Sequence, residues 1–156
     1  MWEQWHAPPI AKGGCCIAAP GEQVRTLARR WFGRAKTDLA VARGLDLSLH
    51  PEMTWVVGFH AQQATEKALK AWLIWRQVEY PFSHDIHLLV SLCPGEFEHH
   101  PELIAAEELT RHAVETRYPG REPSAADASR ALLLAARVLE IVNAAIMAED
   151  EEWTGQ

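Results

Sequence analysis

At about 100° of turn per residue, the stretch Phe59-His60-Ala61-Gln62-Gln63-Ala64-Thr65-Glu66-Lys67-Ala68-Leu69-Lys70-Ala71 sorts its side chains onto unlike sides of a helix. Ala61, Ala64, Ala68, Ala71, Trp72 and Trp75 gather on one side, where small residues let a neighbouring helix approach closely. Phe59, Gln62, Gln63, Glu66, Lys70 and Leu73 gather on another. Amides and charges bracketed by Phe and Leu do not make an ordinary solvated face. They predict a cleft or interface where these groups pair with one another or with a ligand. A chain with this segment folds as packed helices.

The same period runs through most of the sequence. Val24, Leu27, Ala28, Trp31, Phe32, Ala35, Leu39 and Ala42 recur at helical spacing before Gly44 supplies a stop. Arg25, Arg29, Arg30, Arg34, Lys36 and Arg43 outnumber Glu22 and Asp38 there, so the outer face of this helix reads as positive. Pro51 suits the first turn of a second helix reaching to about Gln77. After a polar break with Pro81, Ser83 is placed to cap a short helix that ends before Pro94-Gly95. Pro101 opens another helix, which has to end near Arg117 because Pro119-Gly120 cannot continue it. Ser124 and Asp127 form a capping box with Asp in place of Glu. Behind it, Ala128, Leu132, Ala135, Leu139 and Val142 make an apolar stripe to about Met147. The acidic run 149–152 lies at the unfavourable end of that helix's dipole and is expected to fray into solvent.

No segment alternates as a strand does, and no internal repeat is present. The reading is all-α: an up-and-down antiparallel bundle of about five helices over residues 22–148. Residues 1–21, with three Pro and three Gly, read as an irregular or mobile arm, and 149–156 as an acidic tail. At 156 residues this is one domain with length enough for a core. A net charge of −6 argues against indiscriminate coating of nucleic acid, though it leaves room for a local basic site. Seven Trp against two Tyr make oligomerisation a live expectation, since large indoles plug helix seams and interfaces. Trp31, Trp55, Trp72 and Trp75 read as core or dimer seam.

Cys15 and Cys16 are adjacent and Cys93 is alone, an odd set that makes no disulfide framework. Reduced thiols of a cytoplasmic protein are expected. The first twenty residues lack a basic start followed by an apolar run, so no signal peptide is expected. No stretch reads as approaching the roughly 18 apolar residues of a membrane span. His84-Asp85-x-His87 and His99-His100 lack a second ligand pair at helical spacing, so no metal site is expected. Ser83-His84-Asp85 is not a triad, because triad members meet in space and not by adjacency.

The alanine-and-glutamine helix, the Ser83-His84-Asp85-Ile86 element with Leu88-Leu89, and the turn Thr116-Arg117-Tyr118-Pro119-Gly120 ahead of an Ala-rich last helix together resemble the HEPN family. The motifs stand in the family's order over about residues 22–147. They resemble the branch represented by the C-terminal HEPN domain of sacsin and by HEPN partners of minimal nucleotidyltransferases. The resemblance implies a bundle, commonly homodimeric, whose partner is a minimal nucleotidyltransferase in a toxin–antitoxin-type pair. Many members are metal-independent RNases that use an Arg followed four to six residues later by a His. That pair is missing where the family carries it: no His follows His112, and the one formal match, Arg43 with His50, falls at the end of the first helix.

No catalytic residue and no cofactor is therefore assigned. The expected function is binding of nucleotide or RNA phosphate, through Gln63, Lys67, Lys70, His84, Arg117 and Tyr118. Lys and Arg neutralise phosphate, Arg as a bidentate fork, and Tyr stacks on a base. The same residues have structural readings. Glu66 and Lys70 at i,i+4 suit a simple pair, Arg117 suits capping its own helix, and Tyr118 suits a core plug. An RNase toxin and a purely structural dimeric partner remain the alternatives.

Overall fold

The computed structural model describes residues 20–115, 120 and 122–150. The arm, the Arg117-Tyr118 turn and the tail beyond Asp150 lie outside the described residues, apart from Pro20 and Gly21. Six α-helices occur among those described: α1 (Glu22–Gly44), α2 (Thr54–Trp75), α3 (Ile86–Ser91), α4 (Pro101–Ala106), α5 (Thr110–Glu115) and α6 (Ala125–Glu149). A 3-10 turn, Glu107–Leu109, joins α4 to α5, so Pro101 does open one long, locally tightened helix. Counted that way the bundle has five helices and, among the described residues, no strand. Pro51 sits in a 3-10 turn that leads into α2 and not in α2 itself.

α2 is the axis of the molecule. Sixteen of its 22 residues are buried, because α1 and α6 pack along it and α3 and α5 close its remaining sides. Alanines line the seams: Ala28 and Ala35 of α1, Ala61, Ala64, Ala68 and Ala71 of α2, and Ala131 and Ala135 of α6 all have at most 1% exposure. Small side chains at the seam let the larger Phe32, Leu69, Leu73, Trp75, Val138 and Val142 fill the space between axes. Gly58 serves a tighter contact, since a Cβ there would stand 2.8 Å from Nδ1 of the buried His112 on α5.

Trp72 and Trp75 are core residues, and Trp72 stacks on Phe97 with ring centroids 4.6 Å apart. Trp31 is half-buried and Trp55 exposed, so the four indoles do not form one set.

The Ser124–Asp127 capping box forms at the start of α6. The expected cap at Ser83 needs correcting. Asp85 is the N-cap of α3, its Oδ1 accepting from the His87 and Leu88 amides, while Ser83 Oγ accepts from the Asp85 amide. The expected fraying after Met147 is also corrected at its first two acidic residues. Glu149 accepts from the Trp75 indole at 2.8 Å and pairs with Arg76, and Asp150 is buried against Arg25. Cationic and indole donors from two other helices outweigh the unfavourable dipole.

One expectation about composition changes too. α6 holds an 18-residue window of mean hydropathy 1.9, long and apolar enough by composition to cross a membrane. In the fold it is a core helix, whose buried stripe from Ala128 to Ile146 packs chiefly on α2. Its outer face carries Arg130 and Arg137, paired with Glu108 and Glu102.

Candidate functional site

α2 carries Gln62, Glu66 and Lys70 on one line, one turn apart, and all three are buried. The chain leaves α2 through a reversal in which the Val78 amide donates to the Leu73 carbonyl and the Gln77 amide to that of Ile74. This is the Schellman pattern, with Gln77 in the left-handed position usually held by Gly (φ 55°). The turn sends residues 78–85 back past the polar line. Their return is fixed by the Asp85 cap and by the Ile86 amide, which donates to Thr110 Oγ1 at 3.0 Å.

Glu66 is the hub of what results. Its Oε1 accepts from Lys70 Nζ at 2.8 Å. Its Oε2 accepts from Gln62 Nε2 at 3.0 Å and lies 2.9 Å from His84 Nδ1, with Gln63 Nε2 at 3.4 Å. The amides are ordered in turn: Gln63 Nε2 donates to Gln62 Oε1, and Gln62 Nε2 also reaches the His84 carbonyl. Burial raises the Glu66 pKa, but the Lys70 charge and the hydrogen bonds from Lys70, His84 and Gln62 outweigh it. The carboxyl is held below its ordinary value, so the hub is a carboxylate.

Three rings wall the ammonium of Lys70. Trp31, Tyr80 and Phe82 have their centroids 5.6, 5.7 and 5.9 Å from Nζ. Burial, and then the charge of Glu66, push the Tyr80 hydroxyl up to about 12, so it stays a neutral O–H. His84, with its side chain 46% exposed, opens the network to solvent. Phe82, 88% exposed, stands edge-on to it.

Of the expected phosphate ligands, Gln63, Lys70 and His84 are thus brought together. Lys67 is not among them. One residue on from Glu66 it points toward α1, where Asp38 takes both Lys67 Nζ and His60 Nδ1. Arg117 and Tyr118 lie outside the described residues. Sequence reading missed the ring wall of Trp31, Tyr80 and Phe82. Its signal was present in the aromatics that interrupt the polar break at 76–85.

Arg43 and His50 do not form an evident catalytic pair: both are exposed, and His50 Nδ1 lies 3.5 Å from Glu52. Among the described residues no group of three or more His, Cys, Asp or Glu side chains is placed to hold a metal ion.

The HEPN domain family model matches residues 28–145, well over half of the chain. The chain belongs to the HEPN family. The match to HEPN runs from within α1 to within α6 and so takes in the whole Glu66 hub. HEPN membership marks a nucleotide- or RNA-related module. Comparison with curated proteins and with solved structures returned no match.

Proposed function

We propose that this HEPN domain is a non-catalytic module that binds nucleotide or RNA phosphate, works as a homodimer, and acts beside a minimal nucleotidyltransferase in a toxin–antitoxin-type pair. The observation that carries the binding reading is the hub on α2. A bundle of this size gains little from a buried ion pair with two ordered amides, since desolvation offsets most of the Coulomb attraction. Polar groups kept in such a place, opening to solvent through one histidine beside an exposed phenylalanine, fit ligand recognition.

His84 and Gln63 are the accessible polar members, and the Lys70–Glu66 ion pair stands behind them. Lys67 supports the same helix from its Asp38 pair, and Arg117 with Tyr118 is assigned the phosphate fork and base platform on sequence grounds. Family membership supports the nucleotide or RNA class of ligand. The partner and the homodimer rest on the resemblance described above.

The test is calorimetry with nucleoside mono- and triphosphates on the His84→Ala, Arg117→Ala double variant. Lys70→Ala is a poor probe because it strands the buried Glu66 charge. Binding by the parent chain that the double variant loses, at unchanged helicity, supports the site. Equal affinity in both removes it. Metal-independent cleavage of RNA by the purified chain would replace the binding reading with the RNase one.

A further inference from the structure

The cations of α1 are not equivalent. Arg25 pairs with Asp150 and Arg29 reaches Glu22. Arg34 has Asp38 four residues on, the usual helical partner, but Asp38 turns inward to Lys67 and His60. Arg30 has no acidic residue three or four positions away on either side. Both guanidinium groups are exposed, and neither makes an ion pair among the described residues. Between them Trp31 and Leu27 complete a shallow groove.

Trp31 ties this groove to the hub already described. Its ring faces Lys70 Nζ, as does the ring of Phe82, so two aromatic platforms lie around one ammonium, beside two unpaired arginines. No carboxylate is among the residues lining the groove. Asp38 is taken by Lys67 and His60, and Glu66 by Lys70. Free cations interleaved with partly exposed aromatics fit a polyanion that carries flat, unstacked groups.

The size of the groove chooses among such ligands. It holds about 90 Å³, whereas enclosed small-molecule sites run from about 300 to 1,000 Å³. A mononucleotide would be left largely uncovered. Arg30 and Arg34 are separated by one helical turn, about 6 Å along the axis, so they can meet adjacent phosphates of a strand laid across α1. A duplex would keep its bases stacked and away from Trp31 and Phe82.

We infer that the Arg30–Trp31–Arg34 face of α1 holds single-stranded RNA, two adjacent phosphates on the arginines and unstacked bases on Trp31 and Phe82. This rests on the reading of the domain as a phosphate-binding module and gives that module its ligand class and a second contact surface.

The experiment is fluorescence anisotropy with a labelled ten-residue oligouridylate and, as competitor, uridine monophosphate. It uses the full chain, the Arg30→Ala, Arg34→Ala variant and the Trp31→Ala, Phe82→Ala variant. Both arginines are exposed, so the first variant is expected to keep its helicity. It is expected to bind at least tenfold more weakly, with a plot of log affinity against log salt less steep by roughly 1.4, about 0.7 for each phosphate lost. The aromatic variant is expected to lose affinity with the salt slope unchanged. If the arginine variant binds like the parent while His84→Ala with Arg117→Ala does not, the α1 surface is wrong and the binding module stands. If uridine monophosphate competes as well as the oligomer, the strand assignment is overturned. If the parent binds neither probe, the module reading falls and this inference with it.

Discussion

The Lys70 ammonium lies 2.8 Å from the Glu66 carboxylate, and each side chain is only 4% exposed. An i,i+4 pair on a solvated helix contributes about 0.2–0.5 kcal/mol. Sealed by three rings it behaves differently, because removing one charge leaves the other buried. Lys70→Met is expected to destabilise the fold by about 3–5 kcal/mol. Adding Glu66→Leu should recover most of that loss, since apolar replacement of a whole buried pair is often close to neutral. Urea unfolding of the two single variants and the double variant measures this. Simple additivity of the single losses would show that the two charges are not coupled.

The hub also sets a pH dependence. The Glu66 pKa is lowered from 4.5 in the fold, burial acting against the shift and Lys70, His84 and Gln62 producing it. A depressed carboxyl contributes stability that is present above its unfolded value and is lost as pH falls through its folded one. Unfolding free energy should therefore drop on the acid side of pH 4.5, with a shallower drop in Glu66→Gln. A Glu66→Gln variant with the same acid limb as the parent would place the responsible carboxylate elsewhere.

His87 titrates in the opposite sense. Its Nδ1 is 2.9 Å from Glu107 Oε2, and the hydrogen bond and charge of Glu107, with a contribution from Asp85, raise its pKa from 6.5. The favourable contact of α3 with residue 107 is complete below pH 6.5 and is lost as pH rises through the folded value. NMR titration should find His87 above 6.5 in the parent and back toward it in Glu107→Gln. An unchanged midpoint in that variant would exclude Glu107 as the cause.

Much of this architecture could be read from periodicity and punctuation. Four alanines on one side of α2 and Gln62, Glu66 and Lys70 on another predicted both a close helix seam and an unusual polar line. The Ser124–Asp127 box is local chemistry, so residue spacing was enough to find it. Choice of partner was not legible. Arg34 and Asp38 stand at pairing distance along one helix, yet Asp38 is taken by Lys67, 29 positions away, and by His60. That Asp38 meets Lys67 and not Arg34 depends on how α1 is rotated against α2, a property of the packed seam and not of either segment. The cap at Asp85 was misplaced at Ser83 for a smaller reason. Both residues accept amide hydrogens, and only the path of the loop decides which one starts the helix.

Gln77 is a place where the sequence departs from what its backbone asks. It holds the left-handed position of the Schellman turn with φ 55°, where a side chain is strained and glycine is not. Gln77→Gly is expected to stabilise the domain by about 0.5–1 kcal/mol, within the usual yield of cap optimisation. Differential scanning calorimetry reads this as a rise in Tm. A fall in Tm would mean that the Gln77 side chain contributes more than the strain it brings.

The end of α6 distinguishes a docked terminus from a frayed one. Glu149 accepts from the indole of Trp75, which is 1% exposed, and pairs with Arg76 at 2.9 Å. Glu140, on the same helix, pairs among the described residues only with the half-exposed Arg137 at i,i+3. Removing the acceptor of a buried donor costs about 1–3 kcal/mol, whereas an exposed, solvent-screened ion pair contributes little. Glu149→Ala should therefore destabilise the fold clearly more than Glu140→Ala, and should alter the near-ultraviolet circular dichroism of the buried indole. A terminus that frays predicts the reverse, with a smaller effect nearer the end of the helix. Parallel denaturant titrations of the two variants decide between these outcomes.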